Sequence, residues 1–314
     1  MGALLFPGQG SQIVGMGSEF YNNFEKVKKI FNEADEKLNF PISKLILNGP
    51  EDKLQLTQNT QPAILIVSYS IFRIMVEEFN FDLKKIKFFA GHSLGEYSAL
   101  VCAGSLNFHD ALYLLYERGK AMQEAVPVGK GAMIAVLGIK IDEVRELINK
   151  SQINGSGICE IANDNAEGQV IVSGDVKKVN SLKSLMKKNN IKSIPLKVSA
   201  PFHCSLMKSA AENMKEKINN TNFNKPIKEI ICNVKAEPVN NQNQIKNLLI
   251  EQIFSTVKWR ESLLRMSKDG VTNFIEIGPG KALIGMVKRT IKNSNCFSIN
   301  SIADIKNLID GFKK

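Results

Sequence analysis

The sequence is poor in the residues from which metal sites and disulfide frameworks are built. Among its 314 residues there are three histidines and five cysteines, and no two cysteines form a Cys-x-x-Cys pair. An odd and scattered set of cysteines argues against a disulfide framework, and so few histidines argue against a transition-metal site. The sequence therefore predicts free thiols and no resident metal ion.

Long apolar runs are also missing. No stretch of about 18 uncharged apolar residues occurs, which argues against a membrane span. The first residues lack the basic region and the long apolar region of a signal peptide. At 44% hydrophobic and 23% charged residues, the composition is that of a globular protein. We therefore expect a cytoplasmic protein without a membrane partner, and we expect it to be a monomer.

Positive charge is in excess, but it is not concentrated. The formal net charge of +10 favours acidic partners in general, such as phosphate-bearing cofactors and acidic proteins. The lysines are spread along the chain without interleaved aromatic residues, which is the pattern of a general lysine bias. No nucleic-acid partner is expected from it.

Short apolar strands alternate with amphipathic helices in the first and last parts of the chain. The pattern predicts strands at residues 3–6, 86–90, 229–234 and 273–277, and helices at residues 18–38 and 61–79. Strands that alternate with helices are typical of a parallel α/β sheet covered by helices on both faces. We expect this sheet to form the larger part of the fold.

The middle of the chain has a different order of elements. The pattern predicts strands at residues 131–138, 158–163, 169–173 and 191–198, and helices at residues 141–150 and 176–188. The resulting βαββαβ order is that of the ferredoxin-like fold. The sequence thus predicts a discontinuous large domain, residues 1–126 and 199–314, with a small domain inserted at 127–198 and a ligand cleft between the two.

One segment has the form of a nucleophile elbow. Gly91-His92-Ser93-Leu94-Gly95 fits the G-x-S-x-G pattern, and it lies between a predicted strand and a predicted helix, as the elbow requires. The glycines allow the sharp turn that exposes the serine hydroxyl, and the helix N-terminus offers free N–H groups to an oxyanion. The segment predicts Ser93 as an activated serine.

A serine hydroxyl needs a base within reach, which is usually a histidine. His92 adjoins the nucleophile, so we expect its side chain to point elsewhere into a structural hydrogen bond. His109 lies in the first turn of a helix, where an exposed role suffices. By elimination His203 is the base, while Cys204 lacks a glycine elbow and is expected to be a packed small residue. No acidic residue stands out as the third member of a triad.

Several segments along the chain match one known family, in order and with the spacing of that family. They are Phe6-Pro7-Gly8-Gln9-Gly10-Ser11-Gln12, Gly91-His92-Ser93-Leu94-Gly95-Glu96-Tyr97, Arg118-Gly119-Lys120-Ala121-Met122-Gln123, Gly168-Gln169-Val170-Ile171-Val172-Ser173-Gly174, Pro201-Phe202-His203 and Glu276-Ile277-Gly278-Pro279-Gly280. Together they resemble the malonyl-CoA:acyl-carrier-protein transacylases of fatty-acid synthesis. That family combines an α/β-hydrolase-like domain with a ferredoxin-like insertion, in agreement with the pattern of elements above.

The resemblance implies a set of catalytic positions. It assigns Ser93 as the nucleophile and His203 as the base, and it gives the oxyanion hole to the backbone N–H groups of Gln9 and Leu94. In the family a backbone carbonyl takes the place of the missing acid and orients the histidine. The matching position in this chain is Gln252.

The resemblance also implies how the acyl group is recognised. By sequence alone Arg118 reads as a surface arginine, but in the family this position grips the free carboxylate of malonyl with two parallel hydrogen bonds. Acetyl-CoA is then expected to be a poor substrate. Asn163 matches a position that lines the cleft from the small domain. Phe202 before the histidine and Leu94 after the serine resemble the malonyl-selective members.

The expected activity is a two-step exchange. Malonyl passes from malonyl-CoA to Ser93 and then to the phosphopantetheine thiol of acyl carrier protein, without a metal or redox cofactor. A discrete polyketide acyltransferase with another carrier protein and a serine hydrolase or thioesterase on the same elbow remain as alternatives. A catalytically inactive binding protein is disfavoured, because the serine, the histidine, the arginine and both glutamines are present.

Overall fold

The structure is a computed structural model that describes residues 1–152, 157–196, 198 and 200–313. Its strands are β1 (Gly2–Phe6), β2 (Ile86–Gly91), β3 (Gly131–Leu137), β4 (Cys159–Ala166), β5 (Gln169–Asp175), β6 (Lys192–Pro195), β7 (Glu229–Ile231), β8 (Pro238–Val239), β9 (Asn273–Ile277) and β10 (Asn295–Ile299). The α-helices of the first half are α1 (Ser18–Asn23), α2 (Glu25–Leu38), α3 (Ile42–Asn48), α4 (Glu51–Leu54), α5 (Thr57–Glu77), α6 (Gly95–Cys102) and α7 (Phe108–Glu124). Those of the second half are α8 (Ile141–Gln152), α9 (Val176–Lys188), α10 (Lys208–Asn220), α11 (Gln242–Gln252), α12 (Trp259–Lys268), α13 (Ala282–Thr290) and α14 (Ile302–Lys313).

The larger sheet has the strand order β10-β9-β1-β2-β7-β8. Its neighbours are parallel except for β8, which pairs antiparallel with β7 at one edge. All residues of β1 are buried, and they alternate between two clusters: Leu4 and Phe6 pack on one face, Ala3 and Leu5 on the other. A central strand buried on both faces needs such a continuous apolar run, because successive side chains point to opposite sides of the sheet.

The smaller sheet has the order β4-β5-β3-β6, and its neighbours are antiparallel. Helices α8 and α9 pack on it through a separate apolar cluster that includes Val144, Val179 and Leu182. This is the predicted βαββαβ unit. We propose the domain boundaries expected above, 1–126 with 199–314 and 127–198, since all strands of the small sheet lie within 127–198; residue 199 itself lies outside the described residues.

Among the predicted elements whose bounds differ in the structure, two have a visible physical reason. The helix expected over 18–38 is interrupted at Phe24, whose extended backbone separates α1 from α2. The Asn22-Asn23 pair ends the first helix, because asparagine favours helix termini over helix interiors. The strand expected over 229–234 ends at Ile231, because the chain then turns back into β8, with the Cys232 N–H donating to Glu237 O at 3.1 Å.

The carboxyl ends of the parallel strands lie together at one edge of the large sheet. There β1 leads to Gln9, β2 leads to Ser93, and β7 leads to Asn233. In open α/β sheets ligands bind at this edge. The small sheet reaches the same region, where the Asp164 N–H donates to Val257 O at 3.0 Å. None of the described helices is both long enough and apolar enough to cross a membrane.

Candidate active site

The turn between β2 and α6 is tighter than any side chain at its glycines would allow. A Cβ on Gly91 would lie 1.9 Å from the Gly95 carbonyl oxygen, and a Cβ on Gly95 would lie 2.2 Å from the Phe6 carbonyl oxygen. Ser93, between them, adopts a left-handed backbone with φ of 54°. The glycines thus let the turn press against β1, and they present the Ser93 hydroxyl at the edge of the sheet where α6 begins.

The Ser93 hydroxyl is hydrogen bonded to a histidine. Ser93 Oγ lies 2.7 Å from His203 Nε2, and His203 Nδ1 lies 2.9 Å from the backbone carbonyl oxygen of Gln252. Because a carbonyl oxygen can only accept, the Nδ1 atom carries the proton, and Nε2 has a free lone pair to accept from the serine. The imidazole is therefore held in the tautomer that a proton acceptor for Ser93 requires.

His203 is kept neutral by its surroundings. The residue is 5% exposed, and burial together with the positive charge of Arg118 lowers the pKa of its imidazole to about 3. The hydrogen bond to Gln252 acts in the opposite direction but is outweighed. The backbone of His203 lies in the left-handed region, with φ of 57°. A neutral imidazole at pH 7 is ready to accept a proton without first losing one.

Arg118 is a buried cation on α7, not the surface arginine that the sequence alone suggests. It is 1% exposed. Its Nη1 donates to Gln61 Oε1 at 2.6 Å, and its Nη2 donates to Gln252 Oε1 at 2.9 Å and to Ser93 Oγ at 3.1 Å. None of these partners is acidic, and Nε has no hydrogen-bond partner among the described residues. Burial lowers the pKa of the guanidinium.

A buried arginine that has only neutral hydrogen-bond partners and one unused N–H donor is suited to bind an anion. The cost of burying an unpaired charge is high, and it falls when a carboxylate completes the hydrogen bonds. Because Arg118 already touches Ser93 Oγ, an anion that it binds would lie beside the hydroxyl. The position suits a carboxylate carried by the group that Ser93 attacks.

The two residues predicted for the oxyanion hole, Gln9 and Leu94, line the same cleft as Ser93. Leu94 follows Ser93 at the start of α6, and Gln9 lies in the loop after β1, with its side chain donating to Thr57 Oγ1 at 3.4 Å. Neither N–H donates to another backbone group or side chain in the part of the chain that the structure describes. Free N–H groups at a helix start are suited to stabilising an oxyanion.

These groups line one small cleft of about 100 Å³ between the two sheets. Its walls include most of the predicted site residues: Gln9, Ser93, Leu94, Arg118, Asn163, Phe202 and His203. Gln252 is fully buried behind them and reaches the site through its hydrogen bonds. Met133 and Leu196 of the small domain close the cleft with apolar surface. Apolar walls lower the local dielectric constant and so strengthen the charge interactions of the polar groups in the cleft.

The competing side chains considered from sequence lie elsewhere or have other partners. His92 Nε2 lies 2.8 Å from Asn165 Oδ1, which is the structural hydrogen bond that was expected. His109 is half-buried, with its ring near Glu33. Cys204 is buried, its Sγ donates to Pro201 O at 3.2 Å, and burial raises the pKa of the thiol to about 11. Among the described residues no three His, Cys, Asp or Glu side chains are grouped to hold a metal ion.

Sequence reasoning missed a layer of polar residues behind the site. Gln61 accepts a hydrogen bond from Arg118, Asn233 accepts one from the Ser93 N–H, and Glu96 accepts one from the Gln252 side chain. Each had a usable signal. Gln61 comes directly before the apolar run of α5, Asn233 lies near the end of the strand predicted over 229–234, and Glu96 directly follows the elbow. All three residues are buried in the structure, and buried polar groups need hydrogen-bond partners.

A serine hydroxyl on a strand-to-helix turn, hydrogen bonded to a neutral imidazole, is the arrangement of enzymes that form acyl-serine intermediates. The acyl transferase domain family matches residues 3–312, and the chain belongs to this family. The malonyl CoA-acyl carrier protein transacylase of Bacillus subtilis is 42% identical over 313 residues, which are 99% of this chain and 97% of that protein.

Solved structures of related proteins have the same fold. The acyl-carrier-protein-S-malonyltransferase of Bartonella henselae is 39% identical with a TM-score of 0.96, and the match covers 100% of both chains. A malonyl-transacylase solved in complex with a type II polyketide synthase acyl-carrier protein is 35% identical with a TM-score of 0.94, over 99% of both chains. The predicted fold class is confirmed.

Proposed function

We propose that this enzyme transfers malonyl from malonyl-CoA to the phosphopantetheine thiol of acyl carrier protein through a malonyl ester on Ser93, and that it supplies fatty-acid elongation. The observation that carries the proposal is the buried Arg118, which lacks an acidic partner and touches Ser93 Oγ at 3.1 Å. It favours an acyl group that carries a carboxylate. The relatives named above, whose names give the same reaction, support the assignment.

In the first half-reaction Ser93 Oγ attacks the thioester carbonyl of malonyl-CoA. Its proton passes to His203 Nε2 over the existing 2.7 Å hydrogen bond. The carbonyl oxygen becomes an oxyanion, which the N–H groups of Gln9 and Leu94 stabilise. When the carbon–sulfur bond breaks, the imidazolium returns its proton to the CoA sulfur. Malonyl is then an ester of Ser93, and His203 is neutral again.

The second half-reaction runs the same steps in reverse with a new thiol. The phosphopantetheine thiol of the carrier protein gives its proton to His203 Nε2, and its sulfur attacks the ester carbonyl. The carbon–oxygen bond to Ser93 breaks, and the imidazolium protonates the departing serine oxygen. Because every bond and proton balances between these groups, we propose that no metal or redox cofactor is needed.

The histidine works here without an acidic partner. The carbonyl oxygen of Gln252 fixes the ring orientation and the Nδ1 tautomer, which is the positioning part of the role that an aspartate has in a triad. This carbonyl adds no negative charge, so the imidazolium form of His203 has a high free energy when no oxyanion is present. We infer that the base is charged only while the negative oxyanion lies beside it.

The site divides acyl selection among three side chains. Arg118 binds the carboxylate, while Phe202 and Asn163 line the cleft around the acyl group. A site built to pair a charge discriminates strongly against a substrate that lacks it, because the arginine is then left buried and unpaired. Acetyl-CoA is therefore the poorer substrate. We also propose that the protein acts in the cytoplasm as a monomer.

The test of the function is a transfer assay with three acyl donors. Malonyl-, methylmalonyl- and acetyl-CoA are offered together with the holo form of a fatty-acid carrier protein or of a polyketide carrier protein. The expected result is rapid malonyl transfer to the fatty-acid carrier and slow release of malonate without any carrier. Faster transfer to the polyketide carrier would favour a polyketide role, and carrier-independent release at the same rate would indicate a hydrolase.

Replacing the histidines one at a time tests which of them is the base. His203→Ala is expected to slow acylation by malonyl-CoA by about 10³-fold or more, because no other group accepts the Ser93 proton. His109→Ala is the matched control and keeps the rate, since His109 on α7 does not line the cleft that holds Ser93. The measurement is the single-turnover rate of CoA release. A greater loss in His109→Ala would overturn the assignment.

The acylation rate is expected to fall only at a pH well below that at which an ordinary histidine becomes protonated. Because the pKa of His203 is lowered to about 3, its free base persists as the pH falls. Acylation kcat/KM should then change by less than about twofold between pH 7.5 and 5.5. If the pKa of His203 were near 6.5, kcat/KM would fall about tenfold over the same interval. Malonyl-pantetheine is the donor of choice, because it carries no phosphate that titrates in this window. A tenfold fall would contradict the lowered pKa.

A further inference from the structure

Behind the elbow lies a carboxylate that the mechanism above does not use. Glu96, in the first turn of α6, is 2% exposed. Its Oε2 accepts hydrogen bonds from the Gln252 side chain at 2.8 Å and from the Asn233 N–H at 3.1 Å. Burying a carboxylate costs free energy unless hydrogen bonds compensate for its lost hydration. The hydrogen bonds of Gln252 and Asn233 indicate what Glu96 does in the site.

The side-chain amide of Gln252 joins the elbow to Arg118. Its Nε2 donates to Glu96 Oε2, to Ser93 O at 3.1 Å and to Asn233 Oδ1 at 3.2 Å, so all of its contacts are acceptors. Its Oε1 accepts from Arg118 Nη2 at 2.9 Å. The two ends of the amide have opposite polarity, so the orientation of this one group decides whether Arg118 meets an acceptor or a donor.

The elbow itself is held by the neighbouring asparagine. Asn233 Oδ1 accepts from the Ser93 N–H at 2.7 Å, and Asn233 Nδ2 donates to Gly91 O at 2.7 Å. These bonds occupy the amide of Asn233 on both sides. Glu96 Oε2 is therefore the nearest acceptor of Gln252 Nε2 and also the acceptor of the Asn233 N–H. Without it the buried Asn233 N–H would lose its partner, and Gln252 Nε2 would keep only its longer contacts to Ser93 O and Asn233 Oδ1.

We propose that Glu96 is a positioning residue for acyl selectivity: as a hydrogen-bond acceptor it orients the Gln252 amide, and the Gln252 Oε1 atom thereby holds Arg118 where it receives the acyl carboxylate. If the amide turned over, its NH₂ group would face the guanidinium, donor against donor, and Arg118 would move. The inference rests on the proposed function, because it concerns the selectivity of that same site.

The acceptor, and not the negative charge, is what the geometry requires. Burial raises the pKa of the Glu96 carboxyl to about 7, so both protonation states occur near neutral pH. In either state Oε2 can accept from Gln252 and Asn233 while a proton resides on Oε1. A glutamine at this position has the same length and one acceptor oxygen, so it can replace the carboxylate in this role.

The test compares Glu96→Met with Glu96→Gln. The readout is the ratio of acylation kcat/KM for malonyl-CoA to that for acetyl-CoA. Methionine removes the acceptor at similar length, and the ratio is expected to fall by about tenfold or more, because one charge-assisted contact to Arg118 is lost. Glutamine keeps the acceptor, and the ratio is expected to stay within about threefold of the parent enzyme.

A second buried carboxylate in the same chain is the matched control. Glu276 at the end of β9 accepts from the backbone N–H groups of Leu283 and Ile284 at the start of α13, and burial raises its pKa to about 7 as well. Like Glu96 it is a buried carboxylate that accepts backbone N–H groups, but none of its hydrogen bonds in the described part of the chain is to Gln252 or Arg118. Glu276→Met is expected to lower thermal stability and to leave the malonyl-to-acetyl ratio unchanged.

The outcomes separate the inference from the function on which it rests. A parent enzyme without preference for malonyl would overturn the proposed function. An intact preference that survives in folded Glu96→Met, or that falls equally in Glu276→Met, would overturn the role of Glu96 alone. If Glu96→Met does not fold, Glu96→Asp replaces it: the carboxylate then lies one methylene short of Gln252, the same loss is expected, and a retained ratio would overturn the role.

Discussion

Ser93→Ala is expected to take up no covalent label from radiolabelled malonyl-CoA and to lose at least about 10⁴-fold in transfer rate. The reason is that Ser93 supplies the oxygen to which malonyl is bound between the two half-reactions. Among the described residues that line the cleft, no other carries a hydroxyl or a thiol. Cys204, the other nucleophile type close in sequence to His203, is buried with a pKa raised to about 11 and is directed at the Pro201 carbonyl.

A serine on α6, the helix that follows Ser93, is the control for this result. Ser98 on α6 is fully buried, and its hydroxyl has no hydrogen-bond partner among the described residues. Ser98→Ala makes the same chemical change five positions from the nucleophile, and it should keep both the label and the transfer rate. Undiminished label in Ser93→Ala would show that malonyl is bound elsewhere, and the nucleophile assignment would be wrong.

Arg118→Ala is expected to lower acylation by malonyl-CoA by about 10²- to 10⁴-fold, as two charge-assisted hydrogen bonds to the carboxylate are lost. Acylation by acetyl-CoA should fall far less, because acetyl has no carboxylate for the guanidinium to bind. The measurement is kcat/KM for each donor in the acylation half-reaction. The prediction concerns the ratio of the two values, so a general loss of stability does not imitate it.

Arg118→Lys distinguishes charge from geometry at the same position. Lysine keeps the positive charge but not the planar fork that pairs with a carboxylate, and its shorter hydrogen-bonding reach leaves Gln61 and Gln252 without their present donors. Malonyl acylation is expected to lie between that of the parent enzyme and that of Arg118→Ala. Equal losses for malonyl and acetyl in either variant would mean that Arg118 does not recognise the carboxylate.

Much of the fold follows from local patterns. The run Ala3–Phe6 predicts a strand buried on both faces, and residues 176–188 and 273–277 carry patterns whose bounds agree with α9 and β9. These elements are predictable because their apolar spacing matches a single period. The interruption of the helix at Phe24 is not predictable in this way, since the residues on both sides continue the helical pattern.

The candidate site was only partly accessible from the sequence. The elbow predicts Ser93 from five neighbouring residues, and the small number of histidines made elimination possible. Arg118 shows the limit of local reasoning: its helix pattern alone indicates a surface residue, whereas the fold buries it against α5 and α11. The burial of Arg118 is decided by tertiary packing, and the residues beside it on α7 do not indicate it.

Backbone groups and second-layer contacts are hidden in a similar way. Gln252 orients His203 through its carbonyl oxygen, an atom that every residue has, so no residue type signals the role. Only the resemblance to a known family pointed to this position. Glu96 and Asn233 are ordinary polar residues in sequence, and their function as partners of Gln252 depends on the approach of α6, α11 and the end of β7.

The central claim is that one acyl group moves from CoA to Ser93 and from Ser93 to a carrier thiol. The direct measurement is to form the malonyl-enzyme with radiolabelled malonyl-CoA, remove CoA by gel filtration, and add carrier protein with or without its phosphopantetheine group. The account predicts that the label leaves the Ser93 peptide and appears on the holo carrier alone, at the rate of overall transfer. Label that stays on the enzyme, or that is released as malonate at the same rate with either form of the carrier, would contradict it.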